Sequence, residues 1–203
     1  MTTPSTGPSL VVGFGRVFYA EAGDCAKRAA IAGAHSDANR TAGAVAATVL
    51  MSCAALEASL SELATCLACP SPQFTILAPD VLAFVRDGNS PLYTRFAKLI
   101  SFYSPETQCD DHEPFKNIRC LVELRNHFAH RHAAFLHPDE WPTDLRQCRK
   151  RIPYHSDGKH DWTSVLLVPP VADWAVGTLA AFFAWATPFL PTVRAGSAPN
   201  AAA

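Results

Sequence analysis

From Thr41 to Ala68 the chain reads TAGAVAATVLMSCAALEASLSELATCLA, rich in Ala and Leu and free of proline. Val49, Cys53, Leu56, Leu60, Leu63 and Leu67 recur at steps of three and four, the period of one face of an α-helix. A helix with such a stripe must bury it against other elements, and Cys69-Pro70 marks its end. Pro70, Pro72 and Pro79 then break the chain. Leu92 to Tyr103 resumes the helical period with Phe96, Leu99, Ile100 and Tyr103 on one side, and Ser90-Pro91 is its start signal. Pro114 suits the first residue of a third long helix, where a missing N–H costs nothing. Ile118, Leu121, Val122, Phe128 and Phe135 carry that helix to about Leu136, and His137-Pro138 stops it. Asp173 is placed to cap a last helix, Trp174 to Ala186.

Residues 138 to 163 are polar and without a strong period, and Val165 to Val168 reads as one short strand. No internal repeat is present. These patterns predict an all-α fold of three long helices with minor extra segments. A single domain spans 10–191, between tails at 1–9 and 192–203 whose Pro, Ser, Gly and Ala leave little to bury.

Composition narrows the function. Of 203 residues, 49% are hydrophobic and 17% charged, the profile of a globular chain. The net charge of −1 and pI near 6.7 exclude a global basic field, so any contact with nucleic acid must be local. Seven cysteines, an odd count in a chain too large to depend on staples, and the lack of an opening signal-peptide pattern predict a reducing cytoplasm. Trp174 to Thr192 runs without a charge for close to the length that crosses a bilayer. Asp173 at its start, Pro188 and Pro191 near its end and the shortage of flanking Lys or Arg favour a buried terminal helix, with no membrane partner.

The chemistry concentrates in Leu121 to His132, LVELRNHFAHRH. On a helix, Arg119, Glu123, Asn126, His127 and His130 form a polar stripe at steps of three and four. Arg125 precedes His130 by five positions, about 140° around and roughly 7.5 Å along the axis, so their own helix does not join the two heads. A long arginine side chain or a second copy of the helix about a two-fold axis closes that gap. The residue types suit RNA cleavage without a metal or cofactor. An imidazole with a pKa near 6.5 can take the 2′-hydroxyl proton or protonate the leaving 5′-oxygen. A guanidinium can bind a phosphate bidentately and stabilise charge at the pentacovalent phosphorus, and Asn126 can orient the imidazole or hold a phosphate oxygen. His127, Arg131 and His132 flank the pair as substrate-binding groups.

Arg125-Asn126-His127-Phe128-Ala129-His130 resembles the motif of the HEPN family, an Arg, four to six residues and a His, commonly with Asn after the Arg. Cys53-Ala54-Ala55-Leu56-Glu57 is similar to the first core helix of many such proteins, and the resemblance covers roughly residues 41 to 137. It implies an up-and-down helical bundle, a homodimer with its site at the interface, and metal-independent endoribonuclease activity of the toxin or anti-phage kind, with Arg125 and His130 as the catalytic pair and Asn126 in support. An antitoxin protein is a possible partner on the same grounds. His132 stands where one subset of the family carries a tyrosine, so an antitoxin that modifies that tyrosine is not expected. Relatives without activity imply the alternative, a nucleotide-, RNA- or protein-binding module.

Other groups admit plainer readings. His127, His130, His132 and His137 with Cys120 form a possible metal cluster, but solvated helix histidines explain His127 and His132 as well. Cys66-x-x-Cys69 lacks a second pair and reads as two small apolar residues. Arg146, Arg149, Lys150 and Arg151, with Trp141 and Tyr154, suit an RNA backbone and base, or a solvated loop. Arg131 to His137 and Arg149 to His155 also fit the loose Arg-to-His spacing. Gly13-x-Gly15 lacks the context of a dinucleotide site. Glu57 and Glu62 are orienting carboxylates for the polar stripe or serve as capping or solvent-facing groups.

Overall fold

The computed structural model describes residues 13–68, 77–130, 141, 145–155 and 165–190, with the side chain of His130 excepted. The expected tails, the stop at His137-Pro138, Arg131 and His132 lie outside the described residues. Within them the chain is all helical and contains no strand. Six α-helices succeed one another: α1 Phe14–Ala34, α2 Ala38–Ala68, α3 Pro79–Arg86, α4 Leu92–Tyr103, α5 Glu113–His130 and α6 Pro169–Ala186. Short 3₁₀ turns lie at Cys109–Asp111, Arg146–Cys148 and Thr187–Phe189.

α1 and α2 form an antiparallel hairpin whose turn is built from local hydrogen bonds. Ser36 sits in the left-handed region at φ 56, while its N–H donates to the Gly33 carbonyl and that of Asp37 to the Ala32 carbonyl, both at 3.0 Å. This is the Schellman arrangement that closes a helix C-terminus. Asp37 then opens α2, its Oδ1 accepting the Arg40 N–H at 3.1 Å. At the far end of the hairpin α1 has no cap of its own. The Gly15 N–H donates instead to Oε1 of Glu62 on α2 at 3.1 Å, so Glu62 takes the capping role and its charge sits at the positive end of the α1 dipole.

α2 touches α1, α3, α4, α5 and α6. It is long and apolar enough to cross a membrane by length and composition alone, and here it is the central helix of the bundle. Leu56, Leu60, Phe96, Leu99, Ile118, Leu121, Leu124, Leu179 and Phe182 join in one core, with Phe96 packed edge-on to Phe182 at 5.0 Å between centroids.

Two expectations are corrected. The last helix starts at Pro169, because Pro169-Pro170 presets the backbone angle and brings no orphan N–H; Asp173 is exposed inside the helix and caps nothing. That helix is packed as expected, through Val171, Ala175, Leu179, Phe182 and Ala186. The strand expected at Val165 to Val168 is absent: Val165 and Leu166 are helical, and Val168 is the extended residue ahead of α6. The start expected at Ser90-Pro91 is where α4 begins: Pro91 occupies the cap position before Leu92, and the Ser90 hydroxyl donates to Asp87 Oδ2 at 2.7 Å.

Two glycines of α1 separate backbone cost from packing. A Cβ at Gly33 would lie 2.7 Å from Cγ of Pro169, whereas one at Gly23 meets nothing. Gly33→Ala should destabilise the chain by about 1–3 kcal/mol through overpacking, and Gly23→Ala should stabilise it by about 0.5–1 kcal/mol through helix propensity. Ser36→Gly relieves a left-handed serine and should add about 1 kcal/mol. Urea unfolding of the three variants checks these signs, and a Gly33→Ala chain as stable as the parent would contradict the contact with α6.

Candidate functional site

α5 runs from Glu113 to His130. Its core side is formed by Phe115, Ile118, Leu121, Val122 and Leu124. Arg125 points from the last turns of α5 toward α2, where its Nη2 donates to Oε1 of Glu57 at 2.8 Å. The two side chains are 24% and 45% exposed. The same guanidinium interacts with the Cys53 thiol, one turn before Glu57 on α2, and Cys53 Sγ lies 3.7 Å from the Leu121 carbonyl. The Arg125 Nε is buried and makes no hydrogen bond among the described residues. Glu57 is thus an orienting carboxylate, aimed at Arg125 rather than at the polar stripe, and Glu62 is a capping one.

Cys53 adds no reactivity. Burial pushes its thiol up to about 12, and the opposing pull of the Arg125 charge only partly offsets the desolvation of a thiolate. The thiol therefore stays protonated at neutral pH and serves as a small packing group.

The polar stripe keeps three of its expected members in view. Arg119 is exposed with its guanidinium 5.4 Å from the centre of the Tyr93 ring, and Glu123 and Asn126 are half-buried. His130 follows Asn126 by four residues and falls on this side by register. His127 does not belong to it: the residue is 2% exposed. Seven positions after Cys120 and three after Leu124, it shares their buried side, so it is a core histidine and not a solvated one. Within one chain Arg125 turns to α2, and by helix register the His130 position lies about 140° around the axis from it.

The segment after α5 is tied back to it. Cys120 and Cys148 form a disulfide with Cα atoms 5.3 Å apart, which corrects the expectation that no staple is used and removes Cys120 from any metal set. Among the described residues no group of His, Cys, Asp and Glu is arranged for a metal ion. Arg151 pairs with Glu113 and donates to Asn117 Oδ1 at 3.3 Å; this pairing holds the Glu113 carboxyl below its usual range. Trp141 is buried and packs edge-on to Tyr154 at 5.2 Å, so its ring is not free for a base. Arg149 and His155 lie in non-helical backbone and do not form a second motif. Cys66 is in the last turn of α2, and Cys69 lies outside the described residues.

Glu57→Gln keeps the shape of the contact with Arg125 but removes its charge. Because both groups are partly solvated, the loss should be about 1 kcal/mol, or a fall in Tm of roughly 2–4 °C, with helical circular dichroism unchanged; an unaltered melt argues against the pair. Native Cys53 should resist a thiol-alkylating reagent at pH 8 and react once the chain is unfolded, as mass spectrometry of its peptide reports. Compared with protein-family models, curated proteins and solved structures, the chain matches none.

Proposed function

We propose that this protein is a metal-independent endoribonuclease of the HEPN type, acting as a homodimer in which Arg125, His130 and Asn126 from two copies of α5 meet across a shared cleft. The observation that carries this reading is the Arg125–Glu57 pair. A cation held from a neighbouring helix and partly exposed is a preset head for an anionic group.

In the reaction His130 removes the proton of a 2′-hydroxyl, the freed 2′-oxygen attacks the adjacent phosphorus, and the 5′-oxygen leaves with a proton from an imidazolium. The products are a 2′,3′-cyclic phosphate and a 5′-hydroxyl. Arg125 compensates the charge on the equatorial oxygens, and Asn126 orients the imidazole or a phosphate oxygen. His127, being buried, contributes through packing. Arg131 and His132 are the flanking groups for substrate. A toxin or anti-phage role, restrained by a partner protein, is the setting this activity fits.

The divergence of Arg125 and the His130 position around one helix favours a second reading if the chain is a monomer: an RNA- or nucleotide-binding module without cleavage. Incubation of purified protein with single-stranded RNA in the presence of a chelator separates the two. The ribonuclease reading expects a dimer in sedimentation, 2′,3′-cyclic phosphate ends, and a loss of about 10²-fold or more in Arg125→Ala and His130→Ala. Cleavage that persists in both variants, or a monomer that leaves RNA intact, overturns it.

A further inference from the structure

The cations of residues 145–155 have different tasks. Arg151 is committed to Glu113 and Asn117 on α5. The Arg146 Nε donates to the Trp141 carbonyl at 3.2 Å. Arg149 and Lys150 are exposed and, among the described residues, have no carboxylate partner.

Arg149 is nonetheless held in place. Its Nε donates to the Tyr154 hydroxyl at 3.3 Å, and the guanidinium lies 5.6 Å from the centre of the Tyr154 ring. Tyr154 is fixed in turn by the edge-on contact with buried Trp141. A cation whose stem and Nε are already immobilised loses less entropy on binding an anion than a free surface arginine does. Beside it opens a cavity of about 630 Å³ lined by Arg149, Lys150, Ile152, Pro153 and Tyr154. Ile152 is itself buried, so the cavity's two cations stand next to the half-buried rings of Pro153 and Tyr154, which suits a ligand that is anionic at one end and flat and apolar at the other.

The cavity is also anchored to the motif helix. Cys148, the residue before Arg149, is bonded to Cys120, which precedes Arg125 by roughly 7.5 Å and His130 by roughly 15 Å along α5.

We propose that this cavity is a nucleotide subsite for single-stranded RNA, with a backbone phosphate on Arg149 and Lys150 and the attached base against Pro153. The assignment rests on the ribonuclease reading for its place beside a cleavage site, but the binding itself does not require cleavage. The near-neutral chain lacks a general field for nucleic acid, so attraction must come from such a local pair.

The test is fluorescence anisotropy with a labelled 2′-O-methyl oligoribonucleotide of about twelve residues, which cannot be cut because its 2′-oxygen carries no proton. The wild type is compared with Arg149→Gln/Lys150→Gln and with a control that removes two exposed cations elsewhere, Arg16→Gln/Lys98→Gln. The expected result is a loss of affinity on the order of tenfold for the cavity variant alone, with a salt slope shallower by about 0.7, the value for one lost phosphate contact. Equal affinity of the cavity variant and the wild type, an equal loss in the control pair, or no binding by the wild type overturns the subsite. Loss of binding in a protein that never cuts RNA upholds the subsite and ends the ribonuclease reading; normal binding in a variant of a protein that does cut RNA has the opposite meaning. Melting curves matching that of the parent show that the cavity variant is folded, as its two exposed side chains should allow.

Discussion

The bundle depends on one helix being buried along two sides at once. α2 turns Val49, Cys53, Leu56, Leu60 and Leu67 into the main core and packs Thr41, Val45, Thr48, Ser52 and Ala55 at the other side. The second set is small, and its smallness sets how near α1 can come: a Cβ on Gly15 would lie 3.3 Å from the Ala55 carbonyl and 2.2 Å from the Ser59 hydroxyl. Larger residues here would push the hairpin apart and break the Glu62 cap on α1. Close packing and end-capping are therefore one constraint, since a carboxylate can serve another helix only when the two backbones run side by side.

That constraint reaches the candidate site through α5. The helix is held on its α2 side by the Cys53 and Glu57 contacts and on another by Cys148 and Arg151. The forces differ in weight. The ion pairs are partly solvated and each contributes about 1 kcal/mol at most, while a disulfide closing a loop of separation 28 restricts the unfolded chain by roughly 3.5 kcal/mol. The 145–155 segment, without a regular helix of its own to secure it, is thus located chiefly by a covalent bond to the motif helix.

What could be read from the chain in advance follows from which side chains do the burying. α2 and α4 are visible because Leu and Phe recur at helical steps, and both end where the pattern ends. α1 is not visible, because its buried side is Gly15, Ala22, Cys25, Ala26, Ala29 and Ala32, residues too small to stand out as an apolar stripe. Its turn did carry a signal in Asp37, a good N-cap ahead of α2. In the site, Arg125 and the carboxylate of Glu57 were legible as types, but their pairing across a sequence separation of 68 needed the fold. His127 was misplaced because a stripe drawn through polar residues at steps of three and four absorbs a residue that lies on the apolar edge of the same helix. The Cys120–Cys148 bond is not a pattern at all; only geometry selects one pair from seven cysteines.

The Arg125–Glu57 pair restricts how the site can meet an anion. Together the two groups are neutral, so the pair does not attract a phosphate from a distance, and Glu57 repels one that comes near. A phosphate can displace or share the guanidinium because the pair is half-solvated and weak, while a bidentate phosphate contact is a charge-assisted one of greater strength. Long-range attraction must then be supplied by other cations: Arg149 and Lys150, fixed to the same helix through Cys148, or the basic groups of a second copy. On the proposed ribonuclease reading, an arginine held by a carboxylate gains orientation and gives up attraction, and the exposed pair of cations on the tethered segment would restore it.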